Sequence, residues 1–136
     1  MKPIDLPHKF LIDRSLGNNL VTNAFRKIGL EASSLADIFG HKKAEDLEDI
    51  FLFDYCSKNN LILVMKDKKI LRRPHELSAI KASKAKIFVL HKAQLSGKVQ
   101  VEYFNNNFEE IIKHSSDKGP FVYFVTKSGL SKNKIK

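Results

Sequence analysis

Two short runs of unbroken apolar residues, Phe10-Leu11-Ile12 and Leu61-Ile62-Leu63-Val64-Met65, constrain this chain more than any other feature. A strand wetted on one side alternates apolar with polar residues, whereas a strand covered on both faces of a parallel sheet does not. Both runs are of the second kind. Each also ends on an acid: Asp13 follows the first directly, and Asp67 follows the second after Lys66.

Helical patterns separate the apolar runs. After the strand predicted over Lys9 to Asp13, residues Leu16, Leu20, Val21, Ala24, Phe25 and Ile28 recur at helical spacing. Ser15 or Asn18 suits the cap of that helix, and Gly29 suits its end. Leu30 to Leu35 reads as a weak second strand. Glu45 to Ser57 predicts a helix with Leu47, Ile50, Phe51 and Tyr55 turned inward and four acids in its first turns. Past the strand at 61–65, Pro74 opens a short helix through Ala82, and Ile87 to Leu90 is another strand. Ser96 caps a long helix to about His114, Gly119-Pro120 breaks the chain, and Phe121 to Val125 forms the last strand. From about Lys127 a lysine-rich tail is expected to fray. The alternation predicts one α/β unit over residues 1–136, with parallel strands joined by helical crossovers.

In such sheets the ligand sits beyond the carboxyl ends of the strands, where strand order reverses. Asp13 and Asp67 are expected to emerge together at that edge. Two neighbouring carboxylates repel unless a cation lies between them, and a hard divalent ion with oxygen ligands removes that cost. A third acid from the cluster Glu45, Asp46, Glu48 and Asp49 would complete a pocket. Each acid also has a plainer role: Asp13 as a helix cap or Asx turn, Asp67 as part of a polar turn, the cluster as partners of a helix dipole. Lys66, Lys68, Lys69, Arg72 and Arg73 crowd around Asp67, either as a phosphate clamp or as a solvated loop. Arg14 beside Asp13 suits a phosphate contact or a local ion pair.

Composition narrows the partners. With 24 Lys and Arg against 15 Asp and Glu, the formal net charge is +9, a field that draws polyanions by neutralising phosphates. Nucleic acid leads, with a solubility surface or an acidic protein partner as alternatives. Cys56 is the lone cysteine, so no internal disulfide forms, and the residue reads as a small buried hydrophobe. The histidines stand at no zinc-ligand spacing. With no long apolar run and no apolar leader, a soluble cytoplasmic protein without a membrane span is expected.

The order of these features resembles the PIN-like nuclease family, and more closely its small VapC-like ribonucleases, toxins of bacterial toxin–antitoxin pairs. Phe10-Leu11-Ile12-Asp13-Arg14-Ser15-Leu16-Gly17 resembles that family's opening strand and metal-binding Asp. Leu63-Val64-Met65-Lys66-Asp67-Lys68-Lys69-Ile70 resembles its second Asp strand, and Arg72-Arg73-Pro74-His75-Glu76-Leu77 the segment after it. The similarity covers most of residues 9 to 127, including Gly119-Pro120-Phe121. It implies a PIN-like three-layer fold with a mostly parallel central sheet of about four to five strands flanked by helices. It also implies a metal-dependent endoribonuclease that hydrolyses single-stranded RNA, with an antitoxin protein as partner. Asp13, Asp67 and Asp49 would then be the catalytic ligands of Mg²⁺ or Mn²⁺, with Asp46 or Glu48 as substitutes for Asp49 if a short insertion is allowed. Glu76 is the nearest candidate for a fourth acid. Arg14, Lys66, Lys68 and Arg72 would hold substrate phosphate. A homodimer is left open, and the alternative function is a noncatalytic basic RNA-binding or protein-interaction domain on the same fold.

Overall fold

The computed structural model describes residues 9–16, 19–66, 72–91, 95–133 and 135. Asn18, Asp67, Lys68 and Lys69 lie outside the described residues. The chain forms β1 (Lys9–Ile12), a 3₁₀ turn (Arg14–Leu16), α1 (Leu20–Lys27), β2 (Ala32–Ser34), α2 (Leu35–Phe39), α3 (His41–Ala44) and α4 (Asp49–Lys58). It continues with β3 (Leu61–Lys66), α5 (Pro74–Ser83), β4 (Lys86–Leu90), α6 (Gly97–His114), β5 (Phe121–Val125) and β6 (Leu130–Asn133).

The strands make one sheet in the order β2-β1-β3-β4-β5-β6. All pairings are parallel except that of β5 with β6. Unbroken apolar strands demand cover on both faces, and two separate cores supply it. On one face Phe10, Ile12, Val64 and Phe88 pack under α1 and α6. There the ring of Phe25 meets Phe10, Phe104 and Phe108 at centroid distances of 5.1, 5.4 and 4.9 Å. On the other face Leu11, Leu63, Met65, Ile87 and Val89 pack under Leu52, Phe53 and Cys56 of α4 and Ile80 of α5. The result is the α/β unit that the patterning predicted, in the three-layer form that the resemblance implied.

Four local expectations give way, the first being the inward stripe of the acidic helix: Ile50 and Phe51 are exposed, while Leu52, Phe53 and Cys56 face the sheet. The sheet has six strands because Leu130–Asn133, expected to fray, pairs antiparallel with β5 along Val122 to Val125. Backbone hydrogen bonds to an open sheet edge need no apolar alternation, so Leu-Ser-Lys-Asn serves, and its lysine blunts the new edge. The acidic helix starts at Asp49 rather than Glu45, because α2 and α3 occupy the preceding residues. A capping box starts α2: the Asp37 N–H donates to Ser34 Oγ at 3.1 Å, and the Ser34 N–H donates to Asp37 Oδ2 at 3.0 Å. Finally, Ser15 does not cap α1, whose N-cap is Asn19 without a side-chain bond. The expected cap of α6 is present, with the Val99 N–H donating to Ser96 Oγ at 3.3 Å.

Candidate functional site at the carboxyl edge of the sheet

The strand order reverses between β1 and β3: the chain leaves β1 towards β2 on one side and returns to β3 on the other. That is the switch point at which ligands bind in open α/β sheets. Asp13 stands there. Its N–H donates to the Val64 carbonyl at 2.8 Å, extending the β1–β3 ladder by one residue. Side chains alternate across a strand, so Asp13 shares the face of Leu11, the face covered by α4.

Asp13 is 7% exposed. Among the described residues its side chain accepts one hydrogen bond, from the Ser15 N–H at 3.2 Å, and forms no ion pair. A carboxylate with one hydrogen bond keeps lone pairs that a cation can take up. The field of Asp13 reaches α4: burial first, and then this charge, push the Cys56 thiol up to about 12. Cys56 is buried and un-ionised, as its sequence setting suggested, and no thiolate nucleophile is available there.

Ser15 ties the two strand ends together. Its hydroxyl accepts from the Lys66 N–H at 3.0 Å, so the turn after β1 is fastened to the last residue of β3. The resemblance quoted this serine, but no spacing in the sequence assigns it that bond.

Asp49 is the first residue of α4, half-buried where Asp46 and Glu48 are exposed. A helix over that face runs back along the strands, which brings its first turn to the carboxyl edge. Asp49 lines a cleft of about 380 Å³ with Glu48, Arg14, His75 and Glu76. Asp13 lines a neighbouring cleft of about 620 Å³ with Asn19, Asn23, Ser34 and His41, and Arg14 borders both. The structure therefore sets Asp13 and Asp49 in adjoining clefts at one edge. Arg14 donates to the Glu45 carbonyl, which holds its guanidinium across the boundary between them. It forms no ion pair with Asp13.

Glu76 is buried and pairs with Arg73, whose Nη1 lies 3.3 and 3.2 Å from its two carboxylate oxygens. Lys66 is half-buried at the end of β3 and Arg72 is exposed before α5. Among the described residues no three His, Cys, Asp or Glu side chains gather closely enough to hold a metal.

A family model described as "PIN like domain" matches residues 8–92, more than half of the chain. The chain belongs to the PIN-like domain family. It is also similar to the Mycobacterium tuberculosis protein named "Putative ribonuclease VapC45", at 25% identity over 126 residues, 93% of this chain and 91% of the relative. No solved structure matches.

The matched residues of this PIN-like domain run from the strand before Asp13 past the end of β4, and so include the whole switch point. Asp13 suits a divalent metal on its own chemistry: a hard oxygen donor, buried, with lone pairs left open among the described residues. Asp49, half-buried at the start of α4, brings a second carboxylate to the same edge. Among the described residues, no helix of the domain is long and apolar enough to cross a membrane.

Proposed function

We propose that this PIN-like domain is a metal-dependent endoribonuclease acting on single-stranded RNA, the toxin of a toxin–antitoxin pair. The observation that carries the reading is Asp13, a buried and barely compensated carboxylate at the sheet's switch point, facing the helix that Asp49 begins. The name of the relative, "Putative ribonuclease VapC45", supports the substrate class.

Asp13, Asp49 and Asp67 would hold Mg²⁺ or Mn²⁺, with Asp67 contributed by the segment that follows Lys66. When bound, the ion supplies a lowered pKa for water and charge stabilisation on the phosphoryl oxygens. The chain's own residues do the rest. Ser15 fastens the Asp13 turn to the end of β3 and so fixes the carboxylate's place at the edge. Arg14, anchored on the Glu45 carbonyl, presents its remaining N–H groups to a phosphate passing between the two clefts. Lys66, Lys68 and Arg72 neutralise adjacent phosphates and hold the backbone in register with the carboxylates. The net charge of +9 draws a polyanion to the domain. An antitoxin segment laid across the clefts would exclude RNA from them.

The test is incubation with mixed structured and unstructured RNA, with Mg²⁺ and with chelator, alongside Asp13→Asn. Cleavage that needs the ion and vanishes in the variant is expected. Chelator-resistant cleavage, or undiminished cleavage by Asp13→Asn, would overturn the mechanism.

A further inference from the structure

Two strands away from Asp13 the same edge carries a feature that neither the sequence patterning nor the comparisons assign. His91 is the first residue beyond β4, and its imidazole lies over the ring of Phe124 in β5, with centroids 4.9 Å apart and planes 30° apart. The His91 N–H donates to the Val125 carbonyl at 3.2 Å. The ladder thus continues through His91, and the ring stands on the sheet rather than on a free loop.

Their neighbours Leu90 and Val125 are sealed in the core, yet His91 is exposed and Phe124 only half-buried. Phe124 packs beside the α4–α5 core, so the pair lies on the face that Leu11 and Asp13 share. Register sets the separation. β1, β3 and β4 are consecutive neighbours, Ile12 is level with Val64, and Met65 is level with Val89. Two strand spacings and a two-residue rise put His91 roughly 12 Å from Asp13, backbone to backbone. Lys66 ends the strand between them, Arg72 stands exposed before α5, and Lys127 is exposed just past β5.

Every nucleobase has a π face, and proteins that bind single strands combine aromatic platforms with cations that track the backbone. We propose that His91 and Phe124 form a stacking platform for a base of single-stranded RNA lying beside the phosphate held at Asp13. The proposal rests on the ribonuclease reading for the position of that phosphate. An acidic protein partner would use the same cations but would gain little from an exposed imidazole backed by a phenyl ring.

The experiment uses the full chain carrying Asp13→Asn, which separates binding from cleavage. Fluorescence anisotropy with a short unstructured RNA is expected to show binding about tenfold weaker on adding Phe124→Ala or His91→Ala. An RNA with abasic sites throughout should bind both alanine variants and their parent equally. The chain contains no tryptophan, so Phe124→Trp supplies a single indole that restores the affinity lost in Phe124→Ala and is quenched when a base stacks on the pair. His91 is exposed, so its replacement spares the fold. Unchanged affinity in His91→Ala, together with unquenched indole fluorescence when Phe124→Trp protein is bound to RNA, would refute the platform. That outcome leaves the ribonuclease reading standing if wild-type chain still cuts RNA. Platform-dependent binding without any ion-dependent cleavage would instead remove the nuclease and keep the platform.

Discussion

Asp13 and Asp117 are both carboxylates in contact with the sheet, and they are treated in opposite ways. Asp117, after α6, accepts from the Tyr123 hydroxyl at 2.7 Å and lies 2.8 Å from His114 Nδ1. The His114 ring lies against that of Tyr123, and Lys132 Nζ stands 5.8 Å from the centroid of the same tyrosine ring. The Tyr123 and His114 hydrogen bonds hold the carboxyl of Asp117 below the usual carboxylate range. Burial and the same bond push the Tyr123 phenol up to about 12. Asp13 is more buried and, among the described residues, accepts from one backbone N–H. Buried carboxylates that serve stability are surrounded by donors, and one left short of them is a candidate ligand for a cation.

The sharpest way to break this contrast is Asp13→Asn. RNA cleavage should fall by more than about 100-fold, beyond what loss of a metal's supporting partners costs. The melting temperature without metal should hold or rise, because an uncompensated buried charge is removed. A large drop in melting temperature would make Asp13 a structural residue like Asp117.

Next in size is the response to the ion itself. Saturating Mg²⁺ or Mn²⁺, at about 100 times its dissociation constant, should stabilise the wild type by about 2.7 kcal/mol. Calorimetry should find no such gain in Asp13→Asn and a reduced one in Asp49→Asn. An equal gain in all three proteins would place the ion elsewhere.

Tyr123→Phe tests the other side. It should cost about 1 kcal/mol in denaturant unfolding and leave cleavage unchanged, since only a structural hydrogen bond is lost. Loss of cleavage at unaltered stability would move this cluster into the functional machinery.

The smallest effect is in pH dependence. Asp117 has a depressed pKa, so its contribution is complete above about pH 4 and is lost as pH falls through its folded value. Tyr123 has a raised pKa, so its contribution is complete below about pH 10 and is lost as pH rises towards 12. Unfolding curves of Asp117→Asn should be flatter at both ends than those of the wild type. An unchanged acid limb would mean that the Asp117 bonds contribute nothing net.

Most elements were readable from pattern because their residues answer to local rules. The apolar strands, the amphipathic stripe of α1, the proline opening α5 and the serine capping α6 each carry their own signal. The Ser34–Asp37 capping box carried one too, and with it the short helices that push the start of α4 to Asp49. β6 had none, since an edge strand is recruited by the open backbone of β5. At the site, Asp13 was legible as an acid closing an apolar run. The Ser15 bond to Lys66 and the His91–Phe124 stack were not, because each joins residues that meet only across strands.

The sequence by itself determined that β1 and β3 would be covered on both faces and that an acid would close β1, since an unbroken apolar strand has no side to give to water. Only the tertiary structure decided that β1 would lie beside β3, with Asp13 turned to the face of α4. Register and strand order are set by how two cores close around the sheet, a property of the whole packing rather than of any segment within it.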